Sequence, residues 1–194
     1  MTRAQGPDDP PPRSFFASAR ERRLWAWTLS VVVAIYATLG LAATLAGVVP
    51  HDVITAAFLL GMLLVGLTIL TQGLQVRPGG MELAVALGVG TVYLLALSRL
   101  AFPERSHLIE YGVVASLVHE ALLERAGQGR RVPAPGVLAV AVTSLLGLLD
   151  ECLQLIIPSR VFDPEDIVFN VLAATMAVGA GSALRWARRR RRPP

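Results

Sequence analysis

Six long apolar segments dominate this chain. They run at about 24–47, 53–72, 81–102, 106–123, 136–157 and 166–186. A helix needs about 20 residues to cross a hydrocarbon core about 30 Å thick. Five segments meet that length, and the fourth, SHLIEYGVVASLVHEALL, is shorter and carries His107, Glu110, His119 and Glu120. With 54% hydrophobic residues in 194, the chain has more apolar surface than a soluble domain of this size can hide. Ala, Leu, Val and Gly prevail without the alternation of barrel strands. The expected fold class is all-α, a polytopic transmembrane bundle of about six helices.

The arginines decide the topology. All eighteen basic residues are arginine. They flank apolar segments and are not interleaved with aromatics, which points to a membrane surface and away from nucleic acid. With a cytoplasmic amino terminus and six crossings, fifteen arginines fall inside and three outside, namely Arg99, Arg105 and Arg160. That is the positive-inside pattern. Without the fourth crossing the basic tail would lie outside, so the charge pattern favours counting that segment as a span. Both termini are therefore expected in the cytoplasm.

The chain divides into a disordered, basic lead (1–23), two leading spans (24–80), a four-helix core (81–186) and a basic tail (187–194). The first segment has too long an apolar core for a cleaved signal peptide. The single cysteine, Cys152, permits no intramolecular disulfide and reads as a small buried hydrophobe. Ala173, Ala177 and Gly181 give the last helix a face for close approach.

Within this topology the intramembrane polar residues gather towards the outer side. Asp150, Glu151 and Gln154 interrupt a run of leucines and isoleucines. Asp150 lies roughly 12 Å below Pro158, where the fifth segment ends. His107 and Glu110 share a face of the fourth helix, and Asp166 and Asn170 share one of the sixth. An Asp at mid-membrane costs roughly 2.5–3.5 kcal/mol, so such residues are expected to face the bundle interior. Bland readings exist for several. Asp163, with Pro164 and two acids behind it, is a good helix start. His107 and Glu110 could simply bond one another, Asn170 could bond another helix, and His119 and Glu120 could snorkel.

The strings ERSHLIEYG (104–112) and DECLQLIIPSRVFDPEDIVFN (150–170) resemble the VanZ-like family of bacterial membrane proteins. The resemblance covers about residues 81–184. It rests on His107, Glu110 and Tyr111, on Asp150, Glu151 and Gln154, on Pro158 and Arg160, and on Asp166 and Asn170. It implies a cell-envelope membrane protein, in a family named for a protein linked to low-level resistance to the glycopeptide teicoplanin.

The expected site is an outward-facing polar pocket of His107, Glu110, Tyr111, Asp150, Glu151, Gln154, Arg160, Asp166 and Asn170. Three mechanisms fit these residues. The first is binding of an envelope lipid or precursor head group. The second is an intramembrane hydrolase or transferase, with His107 and Glu110 as acid and base, or a cation held by Asp150, Glu151 and Asp166. Because Asp150 and Glu151 point about 100° apart, such a cation would need ligands from other helices. The third is ion-coupled transport, which the one-sided cluster disfavours. No cofactor or metal is assigned, no catalytic residue is named, the expected partners are membrane lipids, and the oligomeric state is left open.

Overall fold

The computed structural model describes residues 15–45, 49–50, 79–99, 102–157 and 162–191, with scattered residues between 52 and 64. Every element described is helical: α1 (Ala19–Leu45), α2 (Gly80–Arg99), α3 (Phe102–Gly127), α4 (Pro135–Gln154) and α5 (Pro164–Arg191). The expected all-α class holds. The six-span count is not reproduced. Among the described residues two helices, α4 and α5, are long and apolar enough to cross a membrane. The second apolar segment lies largely outside the described residues. In α2 the described apolar stretch runs Gly80–Ala96 and is followed by a side chain outside the described residues. The third, α3, carries His107, Glu110, His119, Glu120, Glu124 and Arg125 along its length.

Local chemistry sets the helix ends. Ser18 caps α1 by accepting from the Glu21 amide at 3.0 Å, and Glu21 reaches back to the Ala17 amide. This start falls in the basic part of the 1–23 lead, and residues 1–13, where disorder is expected, lie outside the described residues. At the end of α3, Gly129 takes the left-handed backbone (φ 77°) that favours glycine, and the Arg130 amide bonds the Arg125 carbonyl. Pro135 opens α4, after Ala134 in the left-handed region (φ 42°). The residue before a proline is steered away from right-handed helix, which separates α4 from the preceding turn. Asp163 caps α5 as expected, accepting from the Glu165 amide at 2.8 Å, with Pro164 in the first helical position.

Packing places α3 at the centre, against α1, α4 and α5; α4 also packs on α5, and α2 covers α5. Val113, Val114, Leu117 and Val118 of α3 form a buried cluster with Val31 and Ile35 of α1 and Ala139 of α4. On the other side Ala115 meets Ala174 and Ala177 of α5, so short side chains bring these two helices close. Ala173 and Ala177 are buried as expected, whereas Gly181 lies against the Arg185 guanidinium of its own helix. Side-chain pairs fix the directions: Arg20 meets Glu124, His107 meets Asn170, and Glu82 meets Arg188. Hence α1 runs antiparallel to α3, α2 runs antiparallel to α5, and α3 runs parallel to α5.

The helix α4 is apolar on its outer flank and polar on its buried one. The buried residues of α4 are Ala139, Thr143, Gly147, Asp150, Glu151 and Gln154, while Val137, Leu145, Leu149 and Leu155 are exposed. Only 28% of the apolar window of α4 is buried, and 22% of that of α5. A water-soluble core helix would bury its leucines and expose its acids. The reverse arrangement suits lipid outside and a polar seam within.

Candidate functional site: a polar cluster at the His107 end

Three helix ends meet at the cluster. His107 lies early in α3, Glu151 and Gln154 in the last turn of α4, and Asp166 and Asn170 in the first two turns of α5. His107 Nδ1 is 3.1 Å from Asn170 Oδ1, and its Nε2 is 3.3 Å from Asp166 Oδ2. The ring stacks on Tyr111, one turn on, with centroids 6.0 Å apart and planes 7° from parallel. So His107 is held on three sides, mainly by α5.

Glu151 is fully buried. It accepts from Gln154 Nε2 at 2.7 Å and from the Asp163 amide at 3.1 Å. The second bond ties the acid of α4 to the cap of α5, so the residue that starts one helix also orients a carboxylate of the other. Asp150 and Glu110 are buried as well. Asp150 acts electrostatically on the Tyr111 and Tyr36 hydroxyls, and Tyr36 donates to the Leu146 carbonyl at 2.8 Å.

Eight of the nine expected site residues are therefore buried or partly buried at this end; His107, Asp166 and Asn170 form one bonded group and Glu151 and Gln154 another, with His107, Glu151 and Asp166 offering ligand atoms within 4.8 Å of one another. Arg160 and Pro158 lie outside the described residues. Cys152, expected to be buried, is exposed. It sits two residues from Asp150, on the flank of α4 turned away from the polar seam.

Two contributors escaped the sequence reading. A Cβ on Gly147 would stand 2.6 Å from Asn170 Nδ2 and 2.8 Å from its Cβ, so glycine is what lets Asn170 reach His107. Thr143 is buried one turn earlier on the same stripe. The spacing 139, 143, 147, 150, 154 of small and polar residues was the available signal.

A second polar group occupies the other end. Arg185 of α5 bonds Glu120 at 2.6 Å and the His119 ring at 3.0 Å. Arg20 of α1 bridges Glu120 and Glu124. Arg125 pairs with the buried Glu21 at 2.8 Å and lies over the Phe15 ring, and Arg188 pairs with Glu82. Burial works to raise the pKa of Glu21, but the Ala17 amide and the Arg125 guanidinium outweigh it and hold the carboxyl below the ordinary carboxylate value. Hydrogen bonds from Ser18 and Arg20 hold Glu124 low as well. His119 and Glu120, which could snorkel by their place near the helix end, both bond Arg185.

Apolar flanks around a buried seam of acids, amides and one imidazole define a helical membrane protein with a polar cluster at one end of its bundle. The family follows: a family model described as VanZ/LLP1 matches residues 15–185, and the chain belongs to the VanZ/LLP1 family. The match starts well before residue 81, so the leading helix falls inside the family pattern. Comparisons with curated proteins and with solved structures found no match.

Proposed function

We propose that this protein is a multi-pass protein of the bacterial cytoplasmic membrane that holds the polar head group of an envelope lipid or lipid-linked precursor at its His107 end. Both termini lie in the cytoplasm and the His107 end faces outward. The observation that carries the reading is the convergence of His107, Glu151, Gln154, Asp166 and Asn170 from three helices within an otherwise apolar exterior. Acceptor oxygens outnumber donors there, which suits hydroxyl or amine groups of a head group. Arg160, which falls between α4 and α5 in sequence, is the candidate for its anionic part. The fifteen-to-three division of arginines supports the orientation, as do the opposed directions of α1 and α3.

The test is lipid mass spectrometry on purified protein, with glycopeptide susceptibility of the host measured in parallel. Wild type is compared with Glu110→Gln, Asp150→Asn and Arg160→Ala. Loss of a co-purifying lipid, with altered response to teicoplanin-type drugs and unchanged lipid chemistry, is the expected result. Changed lipid chemistry would favour an enzyme, for which the imidazole clamped between Asn170 and Asp166 offers an oriented base. Wild-type behaviour from all three well-folded variants would remove the site.

A further inference from the structure

The geometry points to a binding site for one first-row divalent cation, Zn2+ or Mn2+, built from His107, Glu151 and Asp166. These three side chains come from α3, α4 and α5, and one donor atom from each lies within 4.8 Å of the others. The edge from His107 Nε2 to Asp166 Oδ2 measures 3.3 Å. Two ligands on a tetrahedral shell of about 2.1 Å radius stand about 3.4 Å apart. That edge is therefore already at coordination spacing, and the others, within 4.8 Å, need to close by at most about 1.4 Å, within the reach of side-chain rotation.

The hydrogen bonding around the imidazole selects the donor atom. A carboxamide oxygen only accepts, so Asn170 Oδ1 at 3.1 Å assigns the proton to His107 Nδ1. Nε2 faces Asp166 Oδ2 at 3.3 Å, a separation that a ring proton or a bound cation can fill, and metal titration tells the two apart. A metal-ligating histidine characteristically gives its other N–H to an oxygen behind it, and Asn170 fills that role here.

Glu151 is prepared in a similar way. It is fully buried, and Gln154 and the Asp163 amide hold its two oxygens in place. Each carboxylate oxygen keeps a further lone pair for a cation. One imidazole and two carboxylates suit zinc or manganese, whereas calcium takes six to eight oxygens and magnesium keeps most of its waters. Three protein ligands leave a position open for water or an anionic oxygen.

This site goes beyond the head-group reading and does not need a lipid, so metal alone is the probe. Full-length protein in detergent is stripped with chelator and titrated with Zn2+ against a fluorescent competitor, and with Mn2+ by electron paramagnetic resonance. One ion per chain is expected. His107→Gln, Glu151→Gln and Asp166→Asn should each weaken binding by about tenfold or more, while His119→Gln, at the other end, should not. Zn2+ should raise the unfolding temperature of wild type and leave that of His107→Gln unchanged. If the Glu151 variant fails to fold, cobalt(II) absorption of the wild type decides through its imidazole-bound, low-symmetry spectrum. Wild-type affinity in the His107 and Asp166 variants, or a cobalt spectrum of the hexaaqua ion, overturns the proposal. A co-purifying lipid without metal would sink this site and spare the head-group reading; metal without lipid would do the opposite.

Discussion

The two ends of the bundle hold comparable numbers of polar side chains and use them differently. At the Arg185 end each carboxylate named meets a guanidinium: Glu120 with Arg185 and Arg20, Glu21 with Arg125, Glu82 with Arg188. Charges cancel in pairs, and hydrogen bonds to charged groups stabilise by about 1.5–3 kcal/mol each. At the His107 end, Glu151 and Asp166 meet an amide, a backbone N–H and one imidazole. The first arrangement fastens helices together through ion pairs; the second sets carboxylates from two helices beside an imidazole from a third, the kind of grouping a ligand-binding site requires.

The comparison breaks most sharply at Gly147. Gly147→Leu places side-chain atoms where Asn170 stands, and should destabilise the protein by about 3 kcal/mol through overpacking, measured by thermal unfolding in detergent. An unchanged transition would mean that α4 and α5 do not approach so closely. Next comes Arg185→Ala, which strips Glu120 and His119 of their strongest partner and should cost about 2 kcal/mol while leaving binding at the His107 end intact. If ligand or metal binding fell with it, the division of labour between the ends would be wrong.

Acid should separate the ends further. Glu21 and Glu124 have folded-state pKa values below the ordinary carboxylate value, which is about 4.3. Their stabilising contribution is therefore complete above that value and disappears as pH falls through the lowered ones. The unfolding temperature should drop on acidification below about pH 4, and the drop should be shallower in a Glu21→Gln, Glu124→Gln double variant. Equal slopes would refute the assignment.

Two smaller effects sharpen the contrast. Asn170→Leu removes one interhelical hydrogen bond and should cost about 1 kcal/mol or less, yet it should abolish occupation of the polar cluster. Arg20→Ala should cost about 0.5 kcal/mol, because that side chain is 56% exposed and its pairs are screened; added salt should mask it, while the Arg185 effect persists.

The sequence disclosed the polar stripes because helical spacing is local. Asp166 and Asn170 at four residues, Glu151 and Gln154 at three, and the cap at Asp163–Pro164 can all be read within one or two turns. Partners across helices cannot. The imidazole at 107 was read against Glu110, three residues away, yet Asn170 and Asp166 hold it from sixty-three and fifty-nine positions downstream. For the same reason the Glu120–Arg185 pair was invisible, and snorkelling seemed sufficient for a charge near a helix end. Cys152 illustrates a different limit. Apolar surroundings in sequence implied burial, but next to lipid the apolar flank is the outer one.

His107 and Glu120 are thirteen residues apart on α3, about 20 Å along the axis, and both grip α5. A pair of parallel rods riveted at two such distant points cannot ratchet lengthwise: a slip of one residue would break both rivets together. The last turn of α4 is tied to the start of α5 beside the imidazole as well, through the Asp163 amide and Glu151, so the His107 end is set in a frame of three helices whose relative positions are fixed.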